Sequence, residues 1–292
     1  MANLATGAAT ATVRRMGRHA IKTPPHHDTW RSFLDTWVEA DRIETFESAW
    51  NWDHFYPLAP PYDGPNLEGW TMLAALAQAT SRLRVGAMVN GMHHRHPAVT
   101  ANMAATLDIV SDGRLELGMG AGWNEMESSA YGIELGTLTE RFDRFDEGIE
   151  VIRSLLDHPV TNFEGEYFTV TDAWCEPKPV QDKLPLVIGG KGRKRTLRTA
   201  ARCADLWDMP FPETDADWTE LDAVLRAHCE NVGRDQAEIT RSVHLAFGEE
   251  DDPRALAEHA DSFFAAGVDV VVWSMRGAVR PDRLAPLADA LH

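Results

Sequence analysis

Ser111-Asp112-Gly113-Arg114-Leu115-Glu116-Leu117-Gly118-Met119-Gly120-Ala121-Gly122-Trp123-Asn124-Glu125 is the stretch on which the reading of this chain turns. Asp112-Gly113 is a turn pair, and residues 114–119 alternate long side chains as a strand does. Glycines at 118, 120 and 122 strip side chains from the strand's carboxyl end, where backbone can meet a ligand. The dinucleotide fingerprint G-x-G-x-x-G needs a helix straight after it. Here the spacing is G-x-G-x-G, a polar loop is expected to follow Asn124, and the next strongly periodic helix begins near Leu138. Two readings therefore stay open: glycines relieving crowding at a sheet end, or glycines at a ligand site.

A chain of 292 residues, 44% hydrophobic, has room for two ordinary domains or for one α/β barrel, which takes about 250 residues. Lys+Arg 28 against Asp+Glu 45 leaves a net charge of -17, which opposes nucleic-acid and anionic-membrane binding. An anionic ligand would need a local basic pocket. Cys175, Cys203 and Cys229 are odd in number and form no C-x-x-C pair, so neither a disulfide framework nor a zinc site is indicated and a cytoplasmic home is expected. Residues 1–12 are small and polar, with Arg14 and Arg15 after them, the reverse of a signal peptide's order. The expectation is a loose tail over 1–12, one domain over 13–292 and no membrane span.

The fold argument is a count. Strands are expected at 19–22, 46–55, 83–90, 114–119, 184–190, 205–210, 241–247 and 269–274. Helices are expected at 29–42, 67–80, 98–110, 138–156, 193–204, 217–231, 253–267 and 283–291, with a hairpin excursion at 163–170. Asp28 is placed to cap the first helix, and Thr137 with Glu140 forms a capping box on the fourth. Eight strand–helix repeats without a linker fit a single (β/α)8 TIM barrel better than an open α/β sheet. Chemistry in such a barrel gathers at the carboxyl ends of the strands, where Asp53-His54, residues 93–96, residues 118–124 and residues 189–192 all fall.

Asp53-His54 could work as a general acid/base, since imidazole titrates near neutrality. Trp50 and Trp52, two residues apart on one strand face, are either core packing or an aromatic wall beside a planar ligand. Gly189-Gly190-Lys191-Gly192 precedes a helix and could hold a phosphate, with Lys191, Arg193, Lys194 and Arg195 as the basic pocket. His94-x-His96, with His93 beside it, has the look of a metal pair, but no further His or Asp set completes a ligand shell, so no metal site is assigned. Glu116, Glu125 and Glu127 carry no motif. Substrate choice is expected from the loops 57–65 and 123–137 and from His244 and Trp273 at late strand ends.

Asp53-His54-Phe55, the run TMLAALAQATSRLR at 71–84, Arg95-His96-Pro97-Ala98, residues 107–114 and 118–125, and Ala130-Tyr131-Gly132 together resemble the bacterial luciferase-like monooxygenase superfamily. The similarity continues through residues 141–147, Glu164-Gly165 with Tyr167, residues 177–181, Ile188-Gly189-Gly190 and residues 200–205. It is closest to the branch using coenzyme F420, a deazaflavin. The resemblance implies a barrel in which Asp53 and His54 lie beside the deazaflavin and Met88-Val89, followed by Asn90, is a non-prolyl cis bulge supporting the ring. It further implies that Met119 and Gly120 border the cofactor, that Asn124 hydrogen-bonds it, and that Gly189, Gly190 and Gly192 face its phosphate-bearing tail. A homodimer is implied as well. One departure is Ala121, where relatives that oxidise a sugar phosphate carry an acidic residue. The expected activity is hydride transfer between coenzyme F420 and a small organic substrate, with His54 as acid/base, Asp53 orienting it or the cofactor, and Trp50, Trp52 and Trp273 shaping the pocket. The alternatives are an FMN-dependent monooxygenase on the same barrel and, from another class, a metal-dependent barrel hydrolase.

Overall fold

The computed structural model describes residues 17–292, so the tail expected at 1–12 lies outside the described residues. Four elements open the chain: β1 (Arg18–Lys22), α1 (Trp30–Arg42), β2 (Phe46–Asn51) and α2 (Gly69–Ala79). The third strand is broken into β3 (Arg84–Ala87) and β4 (Asn90–Gly91), followed by α3 (Pro97–Val110) and β5 (Leu117–Gly120). Next come α4 (Glu125–Tyr131), α5 (Leu138–Asp157) and an antiparallel hairpin of β6 (Thr161–Glu164) and β7 (Thr169–Ala173). The chain closes with β8 (Leu186–Gly189), α6 (Thr196–Cys203), β9 (Leu206–Pro210), α7 (Asp215–Val232), β10 (Thr240–Phe247), α8 (Pro253–Ala266), β11 (Val270–Met275) and α9 (Leu284–Ala290).

The parallel sheet runs β3-β2-β1-β11-β10-β9-β8-β5-β4. Because β3 and β4 are halves of one strand, the two ends of that order are the same strand, and a bridge from Val85 to Leu115 completes the ring. The result is the expected single (β/α)8 barrel. The break falls at Met88-Val89, whose peptide bond is cis, so the bulge is where the resemblance put it.

Strand side chains alternate between two cores. Ala20, Trp50, Met88, Val187, Leu206, Val270 and Val272 fill the barrel interior. Ile21, Ala49, Val85, Leu117, Met119, Ile188, Trp207, Val243 and Trp273 face outward into the layer under the helices. That parity corrects three expectations. Met119 and Trp273 cannot border a ligand in the barrel mouth, and the Trp273 indole instead donates to His19 Nδ1 at 3.4 Å. Trp50 does point inward, but one layer too deep: its indole donates to Ser48 Oγ at 2.9 Å and its ring covers Gly86.

Other differences have local causes. Thr29 is the residue that caps α1, while Asp28 accepts from the Thr29 and Val279 amides, tying that corner to the chain's end. The second strand stops at Asn51, and its continuation 52–54 leaves the sheet to line the barrel mouth. The loop expected after Asn124 is the short helix α4, too brief to show a periodic pattern but capped by Asn124 and ended by left-handed Gly132. The Thr137–Glu140 box caps α5 as expected. Among the described residues no helix is long and apolar enough to cross a membrane.

Candidate active site

A cavity of about 440 Å³ opens at the carboxyl ends of the strands. Its floor is set by the Met88-Val89 bulge, and the glycines of the decisive stretch explain how the bulge fits. A Cβ on Gly120 would stand 2.7 Å from Val89 Cγ2, one on Gly189 2.8 Å from Val89 Cγ1, and one on Gly118 would run into the carbonyl of Ala87. The two readings of these glycines thus combine. They relieve crowding, and what they make room for is an apolar knob presented to the cavity. Gly122, at φ 88, lies flat against the His93 ring in the same way.

His54 stands on the wall between Trp52 and Trp123, edge-on to both at 5.8 and 5.5 Å. Its Nδ1 is 2.7 Å from Glu127 Oε2, and Glu127 Oε1 accepts the Phe55 amide. Glu127 is fully buried on α4. Burial works against its ionisation, but the His54 and Phe55 bonds outweigh that and hold its carboxyl below the usual range. An ionised Glu127 requires Nδ1 to carry the hydrogen, which leaves His54 Nε2 as the working atom.

Asp53, expected to orient His54 or the cofactor, lines the cavity but does not touch His54. Neighbours on an extended chain point opposite ways, and Asp53 turns to Arg95 Nη1 at 2.7 Å and His94 Nδ1 at 3.1 Å. Burial opposes its ionisation, yet those two partners keep its carboxyl below the usual range. His94 Nε2 lies 3.9 Å from Glu127 Oε2, so Asp53, His94, Glu127 and His54 form one buried polar chain. His96 is used elsewhere, as the cap of α3 accepting from the Ala98 amide, so the suspected metal pair diverges. The described residues contain no group of three or more His, Cys, Asp or Glu able to hold a metal ion.

The other expected cofactor contacts divide. Gly120, Asn90, Asn124, Gly189 and Gly190 line the cavity together with Met88 and Val89. Gly192 does not line it; its role is close approach to Thr196 at the start of α6. Asn124 spends Oδ1 on the α4 cap, accepting from the Glu127 amide at 3.1 Å, and so places Glu127 as much as it borders the cavity. Asn90 donates to the Gly118 carbonyl at 2.7 Å. The expected basic pocket is largely consumed. Lys191 donates to the Phe211 carbonyl, Arg193 pairs with Glu220, and Arg195 pairs with Asp143 and Asp146. The helix itself starts at Thr196, after these residues.

Sequence reasoning missed Glu127, because a seven-residue helix gives no periodic signal, and it found His244 but missed Lys22 and Asp208 beside it, an arc that needs the barrel parity to bring three strand ends together. Asp208 accepts from Ser242 Oγ at 2.8 Å, and His244 Nδ1 sits 2.8 Å from its other oxygen. Burial lowers the His244 pKa, with Asp208 opposing. Phe211, at the unusual φ of 45, is held at the rim by its amide on the His244 carbonyl and by the His244 ring at 4.4 Å.

Several buried polar atoms on the wall have no hydrogen-bond partner: Trp52 Nε1, Asn90 Oδ1, His94 Nε2 and both nitrogens of His93. Burial, with His94 beside it, pulls the His93 pKa down to about 3, so its neutral ring offers one donor and one acceptor. An apolar knob below and unpartnered donors and acceptors around it fit a flat heteroaromatic group with hydrogen-bonding edges, such as a flavin or deazaflavin.

The chain belongs to the luciferase-like monooxygenase family, whose model matches residues 6–287. It is 31% identical over 258 residues, 80% of this chain and 67% of the relative, to the phthiodiolone/phenolphthiodiolone dimycocerosates ketoreductase of Mycobacterium tuberculosis strain H37Rv. Its fold resembles an F420-dependent secondary alcohol dehydrogenase solved with an F420-acetone adduct, at a TM-score of 0.83 and 17% identity over 95% of this chain and 100% of that one. It also resembles the FMN-bound oxygenating constituent of 3,6-diketocamphane monooxygenase of Pseudomonas putida, at 0.72 and 17% over 94% and 96%. The protein is thus an enzyme fold of the luciferase-like oxidoreductases and monooxygenases, and of these two solved neighbours one carries F420 and the other FMN.

Proposed function

We propose that the barrel mouth binds coenzyme F420 and that the enzyme catalyses hydride transfer between it and the carbonyl or alcohol carbon of a small organic substrate. Asn90, Asn124, Gly120, Gly189 and Gly190 would hold the cofactor, with Val89 beneath its ring system. When bound, the cofactor supplies or accepts the hydride. His54 Nε2 holds the proton that the substrate oxygen gains on reduction and gives up on oxidation. Glu127 fixes the tautomer and orientation of that imidazole. Trp52 and Trp123 exclude water around it, and Asp53, through Arg95 and His94, keeps the wall behind it rigid. The observation that carries this reading is the buried His54–Glu127 pair on the cavity wall, a proton-transfer device. The ketoreductase relative and the alcohol dehydrogenase fold support the same chemistry. Replacing His54 by Asn is expected to leave the F420 dissociation constant within about twofold while turnover drops about 10²- to 10⁴-fold, the contribution of one acid/base; unaltered turnover would remove His54 from the mechanism. We further propose a homodimer, for which light scattering should give twice 32.5 kDa. A mass of one chain would refute it.

A further inference from the structure

The proposed chemistry leaves Lys22 unused. It ends β1 on the inward parity, is only 4% exposed, and lines the cavity beside Trp52, whose ring centre is 5.6 Å from its Nζ. Among the described residues no carboxylate lies within ion-pair distance of it. The nearest acid in the arc, Asp208, already serves Ser242 and His244. A buried ammonium with three idle donors is costly, and proteins keep one where a ligand supplies the missing acceptor. Arg276, just past β11 on the neighbouring strand, adds a second cation. Its guanidinium lies 4.5 Å over the ring of Phe211, itself a cavity residue, and has no carboxylate within ion-pair distance among the described residues. Around Lys22 these two cations face one spent carboxylate, and the other two acids that line the cavity, Asp53 and Glu127, are taken up by Arg95, His94 and His54. Of the basic residues before α6, by contrast, Lys191, Arg193 and Arg195 are neutralised or engaged.

We propose that Lys22, assisted at the rim by Arg276, is the anchor for a carboxylate on the substrate, so that the enzyme selects small carbonyl or alcohol compounds bearing a carboxylate over their neutral counterparts. The carboxylate takes up the idle donors of Lys22, while the reacting oxygen is left to His54 on the adjacent strand end. Trp52, between the two, gives the body of the substrate an apolar face. Burial pulls the Lys22 pKa down to about 8, with Asp208 opposing and Arg276 reinforcing, so the amine is mostly charged at neutral pH. Lys22 is here a specificity residue, with no part in the proton or hydride transfer. The substrate class rests on the hydride-transfer reading, but the anion site does not.

The test separates the two. Calorimetric titration of the full chain with benzoate and with benzamide, wild type and Lys22→Met, probes the anion site without any cofactor. Benzoate is expected to bind, benzamide to bind about 10-fold or more weaker, and Lys22→Met to lose about 10- to 100-fold in benzoate affinity, the scale of a hydrogen bond to a charged group. Should Lys22→Met not fold, Arg276→Gln at the exposed rim is expected to weaken benzoate several-fold, while Lys22→Arg keeps the preference for benzoate over benzamide. Equal binding of the two probes, no benzoate binding, or benzoate affinity indifferent to both positions would overturn the proposal. In parallel, oxidation of reduced F420 with phenylglyoxylate and with its methyl ester should show the acid preferred in kcat/KM and the preference collapsing, through KM, in Lys22→Met. Lys22-dependent benzoate binding without F420 binding would uphold the anion site and sink the hydride-transfer reading instead.

Discussion

His54 owes its orientation to Glu127, 73 positions later in the chain. The histidine was legible in the sequence, because Asp53-His54 sits at a strand end in a barrel and both the chemistry and the family likeness point there. Its partner was not, because nothing local distinguishes Glu127 from Glu125 two residues earlier, which is exposed. Only the turn of α4 separates them, burying one and exposing the other. Of the two partners expected for Asp53, His54 or the cofactor, the first is missed for an equally local reason, the alternation of an extended chain. Glu127→Gln keeps the shape but leaves no ionised acceptor for His54 Nδ1. The expected result is kcat reduced about 10- to 100-fold, part of the full acid/base contribution, with the cofactor dissociation constant unmoved. Loss of cofactor binding in parallel with kcat would make Glu127 a structural residue only.

At the scale of elements, strand rhythm was enough to predict the barrel but not which way each strand faces in three dimensions. Trp50 and Trp52 share a face, and only Trp52 reaches the cavity because β2 ends at Asn51, between them. Met119 flanks two glycines of the cavity wall yet belongs to the outer core, one residue out of phase. The glycines themselves tie β5 and β8 to the bulge between β3 and β4. Gly120→Ala would set its methyl 2.7 Å from Val89, overpacking that costs about 1–3 kcal/mol. Chemical denaturation should register that loss, and cofactor affinity should fall with it as Val89 is pushed into the cavity. Adding Val89→Ala is expected to restore part of the stability, a coupling that independent sites would not show. Strictly additive effects would mean that the two side chains do not compete for the same space.

For the whole molecule, histidines whose burial resists protonation, His19 and His93 among them, make folding sensitive to mild acid. Burial lowers the His19 pKa from 6.5 to about 4, with His292 adding and Asp261 opposing, and His93 falls further, to about 3. In the unfolded chain both histidines take up a proton near pH 6.5, while the folded protein resists until much lower pH. Stability should therefore be full above pH 6.5 and decline as pH falls from 6.5 toward 4, since the unfolded state binds more protons in that window. Urea midpoints at pH 7.5 and pH 5.0 measure this, and His19→Gln is expected to lose less on acidification than the wild type. Equal midpoints at the two pH values would contradict the burial argument. The same scale sets the functional question. The barrel, the cavity floor and the His54–Glu127 pair suit either a deazaflavin or a flavin, and the hydride-transfer reading stands on the first. Titrating the purified protein with coenzyme F420 and with FMN, following the fluorescence of each, decides between them. The account expects F420 to bind at micromolar strength or tighter and FMN at least tenfold weaker, about 1.4 kcal/mol; tighter binding of FMN would contradict it and move the enzyme to the flavin monooxygenases.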